Sequence, residues 1–312
     1  MSGEIKSLDI NEIIDNTVLR YVGNTPLIKV KTPQGISDKV EIYAKLEYFN
    51  PGGSIKDRPI LRMIKEAIKS GDLTHDKAIL DSTSGNAGIA YSMIGAALGY
   101  EVDLVIPGNA SEERKRSIRA YGAKIITTDP IKGYDEAIRK AHEMLEENPD
   151  KYYMPDQYAN KYNPIAHYET TGKEILEQTE GKVTHFICGV GTGGTVMGVG
   201  RRLKEHNPGI KIYVIKPEDF PGIEGLKPMG AGYIKPKIYR EDFIEDHTFF
   251  ITSEDAKDAC NSLALEMGLF VGQSSGAFMK GALELAGEIN EGMIVTIFPD
   301  TGNRYFSTQL WD

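Results

Sequence analysis

The amino-acid sequence predicts an α/β protein with largely parallel sheets. Apolar runs rich in β-branched residues alternate along the chain with segments of helical periodicity, and this alternation is typical of βαβ units. A length of 312 residues and a hydrophobic share of 40% supply enough apolar side chains for one or two cores. No tandem repeat or Pro/Gly/Ser linker divides the chain, so composition alone places no domain boundary.

One βαβ unit shows how the elements are predicted. Its helix begins after Ser111, a suitable N-cap, carries Glu112 at the positive end of the helix dipole, and ends before Gly122, which suits the left-handed C′ position. β-branched runs at 102–106 and 124–127 flank this helix. The same reasoning predicts further strands at 27–30, 40–46, 78–80, 185–188, 210–215 and 294–298, and helices at 60–70, 87–98, 112–121, 135–147, 165–179, 195–205, 254–267 and 276–287.

Charge and cysteine content narrow the functional classes. The net charge of −9 gives the protein no electrostatic reason to bind nucleic acid or an anionic membrane. Two cysteines cannot form a disulfide framework, residues 1–7 lack the apolar run of a signal peptide, and no apolar stretch approaches the ~20 residues of a membrane helix. We therefore expect a cytoplasmic protein.

Four Gly/Ser-rich turns follow apolar runs, where α/β sheets bind their ligands. The first, residues 50–58, leads into the helix at 60–70. Ser54 or Asp57 could cap this helix, and either cap leaves Lys56 near its N-terminus, where the positive helix end helps lower the pKa of an amine. Lys56 is thus a candidate Schiff-base lysine, and an exposed loop lysine is the simpler alternative.

The second turn, residues 82–88, follows a strand and opens a helix. Its hydroxyls and free backbone N–H groups could bind a carboxylate. An ordinary capped turn is the alternative.

The third turn, residues 189–195, favours a phosphate. It has four glycines in six residues, two threonine hydroxyls and a helix directly after it. It also matches G-x-G-x-x-G, the fingerprint of dinucleotide-binding proteins, but Glu218, the nearest candidate for the ribose-binding acid, lies somewhat too far along the chain.

The fourth turn, residues 272–276, matches G-x-S-x-G, the nucleophile elbow of α/β-hydrolases. A hydrolase requires a histidine after the serine, whereas the last histidine, His247, precedes Ser274. The hydrolase interpretation fails on this order. The histidines and cysteines also show no metal-ligand spacing, and we expect no metal site.

Taken together and in this order, the four turns resemble the cysteine synthase family of fold-type-II pyridoxal-phosphate enzymes, from residues 22–27 to residues 302–308. The resemblance implies pyridoxal 5′-phosphate as cofactor, a homodimer, and two domains that are each a twisted, mostly parallel sheet flanked by helices. It implies a smaller domain at 50–158, a larger domain formed by 24–49 and 159–312, and an N-terminal extension at 1–23.

The resemblance also implies a role for each matching residue. Lys56 would form the internal aldimine and later move the α-proton of the substrate. Asn86 would bind the 3′ oxygen of the cofactor, and Ser274 would face its pyridine nitrogen. The cofactor phosphate would lie against Gly191, Thr192, Gly193, Gly194 and Thr195, and the substrate carboxylate against Thr83, Ser84, Gly85 and Gln157.

Three positions depart from the family pattern or vary within it. Ala87 replaces a usual threonine, which puts one substrate hydrogen bond in doubt, and Lys216 replaces a usual acid. Lys227 lies in a variable stretch where members that accept O-phosphoserine place a basic residue. It is either a phosphate-binding residue or a solvated loop lysine.

The resemblance therefore implies β-replacement. L-cysteine would form from O-acetylserine or O-phosphoserine and sulfide, by way of an aminoacrylate. Serine facing the ring nitrogen agrees with this reaction, because a weaker electron sink favours rapid loss of a β-leaving group. Three alternatives stay open: another nucleophile, as in cystathionine β-synthase or diaminopropionate synthesis, a nicotinamide-dependent oxidoreductase, and a non-catalytic binding protein.

Overall fold

The protein contains two sheets surrounded by helices. The structure, a computed structural model, describes residues 10–83, 85–230, 233–308 and 310–311. The strands are β1 Leu27–Val30, β2 Val40–Leu46, β3 Ala78–Ser82, β4 Val102–Pro107, β5 Lys124–Thr128, β6 Tyr152–Tyr153, β7 His185–Gly189, β8 Lys211–Pro217, β9 His247–Ile251 and β10 Gly292–Phe298. The helices are α1 Ile10–Asp15, α2 Asp57–Ser70, α3 Asn86–Leu98, α4 Glu112–Ala120, α5 Gly133–Glu147, α6 Tyr162–Glu169, α7 Thr171–Gln178, α8 Gly194–His206, α9 Glu241–Ile244, α10 Ser253–Met267 and α11 Gln273–Glu288.

The sheet topology confirms the α/β class. A six-stranded sheet has the order β1-β2-β10-β7-β8-β9, and a four-stranded sheet has the order β5-β4-β3-β6. The β1–β2 pair is antiparallel, and the other strand pairs of the two sheets are parallel. Parallel strands need helical crossovers, which is why strands and helices alternate along the chain.

The core follows the two-residue period of the strands. In β3, Ile79 packs with α2 and α3, whereas its neighbours Ala78 and Leu80 pack with Ala137 and Ala141 of α5 on the other face. Successive side chains of a strand point to opposite faces, so a strand buried on both faces is predominantly apolar. A third cluster covers both faces of the six-stranded sheet, mainly with α8, α10 and α11.

Some elements differ from the expectations. The helix predicted at 165–179 is two helices, because the backbone of Thr170 departs from helical geometry (φ −117°, ψ −76°). The strands β6 and β9 were not predicted: β6 has only two residues, and β9 is an edge strand whose burial is mixed. At α4, Gly122 takes the expected left-handed conformation (φ +85°), but Ser111 does not cap the helix with its side chain.

None of the helices in the described part of the chain combines the length and apolar character needed to cross a bilayer. Of the predicted N-terminal extension, residues 10–23 are described and contain α1 and a short 3-10 helix, Val18–Tyr21. Residues 1–9 lie outside the described residues.

Candidate active site

Residues that follow β3, β4, β7 and β8 line one cavity of about 620 Å³. This is the sheet edge at which parallel α/β proteins bind ligands. Ser84 lies outside the described residues, whereas Gly193, Gly194, Thr195 and Ser274 lie at or beside the starts of α8 and α11 and are not among the lining residues. The cavity brings together the predicted residues Lys56, Thr83, Gly85, Asn86, Gln157, Gly191, Thr192 and Lys227.

Lys56 occupies the N-cap position of α2 and lines the cavity. Burial lowers the pKa of the Lys56 amine to about 8, because the charged form loses its hydration. Neither expected side chain caps the helix: Asp57 accepts a hydrogen bond from the Gly52 backbone N–H, and Ser54 accepts one from the Lys56 N–H. The pKa of Lys56 is therefore lowered by burial, whereas the positive helix end was the cause expected from the sequence.

A buried ion-pair network anchors the first turn of α2. The Arg58 guanidinium lies 2.7 Å from Glu47 Oε2 and 2.6 Å from Glu174 Oε1, and Lys45 Nζ lies 2.7 Å from Glu174 Oε2. Burial alone would raise the pKa of Glu174, but hydrogen bonds from Arg58 and Lys45 hold it at about 2. Since Arg58 is two residues after Lys56, the network fixes the helix that presents the lysine.

The turn after β3 is built as a helix cap. Thr83 Oγ1 accepts hydrogen bonds of 3.0 Å from the backbone N–H groups of Gly85 and Gly88. These two residues lie at the start of α3. The hydroxyl of Thr83 therefore has a structural task in addition to any contact with a ligand. At Ala87 the side chain is buried and lines the cavity, so no hydroxyl is available at the position where the family usually has threonine.

Arg114 of α4 packs directly behind this turn. A Cβ at Gly85 would lie 2.4 Å from Arg114 Cδ, so only glycine permits this approach. The guanidinium stacks over the Tyr305 ring at 4.6 Å and pairs with Glu224, which follows β8. Arg114 therefore connects the turn after β3 with the segment after β8 across the mouth of the cavity.

Asn86 is held by residues that follow β10. Its Nδ2 donates to Asp300 Oδ2 at 2.6 Å, and its Oδ1 accepts from Arg304 at 2.5 Å. Asp300 is fully buried and also accepts a hydrogen bond from Tyr305 at 2.8 Å. Both ends of the Asn86 amide are thus oriented before any ligand binds.

The turn after β7 forms a glycine cradle, residues 189–195. A Cβ at Gly191 would lie 2.6 Å from the Gly225 carbonyl oxygen, and a Cβ at Gly194 would lie 1.9 Å from Asn163 Oδ1. Gly193 has a left-handed backbone (φ +84°) just before α8. Close approach therefore requires glycine at 191 and 194, and the left-handed backbone favours it at 193. The cradle ends at the positive N-terminus of a 13-residue helix.

Hydrogen bonds support the cradle from the side of α6. Asn163 Nδ2 donates to Thr192 Oγ1 at 3.1 Å and to the Gln157 carbonyl at 2.7 Å. Gln157 is buried, and its Nε2 donates to the Ser82 carbonyl at 3.3 Å. Thr195 Oγ1 lies 3.4 Å from His167 Nε2, and Thr195 is not among the residues that line the cavity. Asn163 thus joins two predicted site residues.

Ser274 is the second residue of α11 and is buried. A Cβ at Gly225, which lines the cavity, would lie 3.6 Å from Ser274 Oγ. The Ser274 hydroxyl thus lies close to the backbone of Gly225 in the cavity wall.

Lys227 is not a solvated loop lysine. Its side chain is buried, and its Nζ lies 2.9 Å from Asp135 Oδ1 of α5. Its backbone N–H donates to the Val190 carbonyl at 2.9 Å, which fixes the residue beside the glycine cradle.

Two further residues from the sequence analysis have structural partners. Glu218 Oε1 accepts a hydrogen bond of 2.7 Å from the Ser253 backbone N–H at the start of α10. Lys216 pairs with Glu241 and Glu245 at 2.8 and 3.2 Å. Glu218 is therefore engaged as a helix-end acceptor, away from the ribose-binding role that a dinucleotide interpretation requires.

Sequence reasoning missed Arg114, Asn163, Asp300 and Arg304. Asp300 could have been found, because it follows a predicted parallel strand by two residues and such positions meet at the ligand-binding edge. Arg114, Asn163 and Arg304 gave no local signal. No cluster of three or more histidine, cysteine, aspartate or glutamate side chains that could hold a metal ion occurs among the described residues.

Comparisons with known proteins agree with this geometry. A family model described as pyridoxal-phosphate dependent enzyme matches residues 18–300. Cysteine synthase from Aquifex aeolicus (strain VF5) is 50% identical over 302 residues, covering 95% of this chain and 92% of that protein. The structure of cysteine synthase (OASS) from Entamoeba histolytica has a TM-score of 0.88 and 37% identity, covering 100% of this chain and 93% of that chain. An O-acetylserine dependent cystathionine beta-synthase from Helicobacter pylori has a TM-score of 0.87 and 35% identity, covering 95% and 99%.

Proposed function

The chain belongs to the family of pyridoxal-phosphate dependent enzymes, and from this premise we propose that it is a cysteine synthase that forms L-cysteine from an activated serine ester and sulfide. The observation that carries the proposal is the position of Lys56: a lysine with a lowered pKa lines the same cavity as the glycine cradle and the 83–87 turn. Relatives named cysteine synthase cover nearly the whole chain, and they support the same activity.

The residues of the cavity fit pyridoxal phosphate. A phosphate needs bare backbone and a positive helix end, and the glycine cradle has both, since a side chain at Gly191 would collide with the Gly225 carbonyl. Lys56 is the amine that would hold the cofactor, and Asn86 and Ser274 would contact its ring. When bound, the cofactor supplies the electron sink that acidifies the α-proton of an amino acid and lets its β-substituent leave.

The chain's own groups would bind and position the substrate. Backbone N–H groups at the start of α3 and the buried amide of Gln157 would bind the substrate carboxylate, as in other anion sites at helix starts. The neutral amine of Lys56 would accept the α-proton, because a pKa of about 8 leaves it partly unprotonated near neutral pH. Lack of a hydroxyl at Ala87 leaves the carboxylate with one donor fewer.

A second nucleophile is the alternative function that a specific observation favours. The Helicobacter pylori neighbour is named a cystathionine beta-synthase that depends on O-acetylserine. Under that alternative, the same activated serine would react with a larger thiol in place of sulfide. Product analysis with sulfide and with homocysteine, each supplied alone, separates the two.

The visible absorption of the purified protein tests the proposal. We expect a lysine-bound cofactor band that shifts on titration with O-acetylserine or O-phosphoserine and returns when sulfide is added, with L-cysteine as the product. A protein that stays colourless after pyridoxal phosphate is added, or that releases no cysteine from either ester, would contradict the proposal.

The lowered pKa of Lys56 predicts the pH dependence of cofactor capture. Only the neutral amine attacks the aldehyde, so the capture rate of cofactor-free protein should rise with pH and level off above about 8. At pH 7 about 10% of such an amine is neutral, against roughly 0.04% for an ordinary lysine. Stopped-flow absorbance across pH 6 to 10 measures the rate, and a rise that continues without a plateau to pH 10 would refute the expectation.

Gly191→Ala should weaken cofactor binding. The added Cβ would meet the Gly225 carbonyl oxygen at 2.6 Å, and backbone cannot rotate away as a side chain can. We expect the dissociation constant of pyridoxal phosphate to rise by about tenfold or more, since a few tenths of an ångström at a phosphate cradle weaken several hydrogen bonds together. Gly287→Ala, at a position with open space, is the matched control. Unchanged cofactor affinity in the Gly191 variant would argue against the cradle.

We also propose the domain division implied by the resemblance, with residues 50–158 as the smaller domain. It is supported by the four-stranded sheet, whose strands all lie within residues 78–153, while the other strands form the six-stranded sheet. A homodimer and a cytoplasmic location belong to the same proposal. Both cysteines are free and buried, which agrees with a reducing compartment.

A further inference from the structure

Lys227 and Asp135 form an ion pair at the cavity wall. Both residues line the cavity, and Lys227 Nζ lies 2.9 Å from Asp135 Oδ1. The other carboxylate oxygen of Asp135 accepts a 3.1 Å hydrogen bond from the Ile234 backbone N–H. The Lys227 ammonium also lies 5.6 Å from the Tyr134 ring and 5.3 Å from the Tyr158 ring. The Ile234 N–H therefore orients the carboxylate of the pair, and the two tyrosine rings contact its ammonium.

Among the other basic side chains of the cavity lining, Arg114 is buried and pairs with Glu224. Lys132 and Arg139 are largely exposed and share one carboxylate, that of Glu136. Within the part of the chain that the structure describes, the buried cations of this lining apart from Lys56, namely Arg114 and Lys227, therefore each have a carboxylate partner. Asp219 adds another negative charge to the lining.

A phosphate ester and an acetyl ester differ in the charge that the cavity wall must accommodate. The phosphate of O-phosphoserine carries a charge of about −1.5 to −2 near neutral pH, whereas the acetyl group is neutral. A phosphate dianion needs an available cation, and a carboxylate that already holds the cation both competes with it and repels it. A neutral ester meets no such cost.

We propose that Asp135 is a specificity-determining residue, which neutralises Lys227 and thereby disfavours O-phosphoserine relative to a neutral ester such as O-acetylserine. This rests on the proposed function, since it concerns the leaving group of that reaction. Asp135 would act through Lys227, with which it is paired.

The test compares kcat/KM for the two esters, with sulfide in excess, in the cofactor-loaded enzyme. We expect the natural enzyme to prefer O-acetylserine. Asp135→Asn should raise the ratio of phosphoserine to acetylserine turnover by about 10- to 100-fold, the effect of freeing one charged hydrogen-bond donor. The double variant Asp135→Asn with Lys227→Met should lose this gain. Glu143→Gln, an equal charge change at an exposed position of α5, should leave the ratio unchanged.

The single variant Lys227→Met keeps the test decisive if Asp135→Asn does not fold. Without Lys227 the Asp135 carboxylate is unpaired and repels a phosphate, so we expect the ratio of phosphoserine to acetylserine turnover to fall. A ratio that stays the same or rises would overturn the inference, as would a natural enzyme that prefers O-phosphoserine. An Asp135→Asn enzyme that still uses acetylserine at an unchanged ratio would also overturn it. Absence of cysteine from both esters in the natural enzyme would instead refute the proposed function.

Discussion

Lys56→Ala is expected to abolish cysteine formation and to remove the visible band of the lysine-bound cofactor. The alanine has no amine to hold pyridoxal phosphate and none to accept the α-proton, so two tasks are lost with one side chain. We expect kcat/KM to fall by about 10³-fold or more, since proton transfer by a positioned group alone contributes roughly 10²- to 10⁴-fold. Cysteine release and the absorption spectrum of the purified variant measure the two losses separately.

Two controls separate chemistry from charge and from fold. Lys56→Arg keeps the positive charge but cannot form the bond to the cofactor, and it should be as inactive as the alanine variant. Lys69→Ala changes an exposed lysine at the other end of α2 and should leave activity unchanged. Turnover by Lys56→Ala at more than about a tenth of the natural rate would show that another group does the chemistry.

Arg58→Ala is expected to cause a large loss of stability. The substitution would leave Glu47 and Glu174 buried with only Lys45 to balance them, and an uncompensated buried charge costs about 3–5 kcal/mol. Because Arg58 lies in the first turn of α2, the start of the helix that carries Lys56 should loosen as well. The free energy of unfolding from urea denaturation, followed by circular dichroism, measures the loss.

Arg201→Ala is the matched control. Arg201 pairs with Glu205 on α8 at 2.8 Å, but both side chains are largely exposed. Removal of an exposed pair should cost less than about 1 kcal/mol, because water screens and replaces the interaction. Equal losses in the Arg58 and Arg201 variants would contradict the importance that we assign to the buried network.

The βαβ alternation made most of the fold predictable, because burial on both faces makes parallel strands such as β4 and β10 predominantly apolar. The glycine cradle was equally visible, since close backbone approach leaves no substitute for glycine. The helix break at Thr170 was not visible, because apolar periodicity continues across it.

Long-range partners set the limit of the site prediction. Lys227 was predicted as a site residue, yet its pairing with Asp135 joins residues 92 positions apart and depends on which helix faces the cavity. The contact between Arg304 and Asn86 spans 218 positions. The local sequence pattern shows which side chains are polar or charged. Which charged side chains form ion pairs depends on the tertiary structure.

The strand order of the larger sheet has a consequence for the order in which this chain folds. β2 pairs on one side with β1 and on the other with β10, whose residues are synthesised roughly 250 positions later. The four strands of the smaller sheet are synthesised much earlier. That sheet can therefore form while the edge of β2 that pairs with β10 is still unpaired. Only after β10 inserts can the Pro299 carbonyl accept the hydrogen bond from the Ile55 N–H, which is adjacent to Lys56. The nascent chain can therefore complete the hydrogen bond beside Lys56 only after nearly all of its residues have been synthesised.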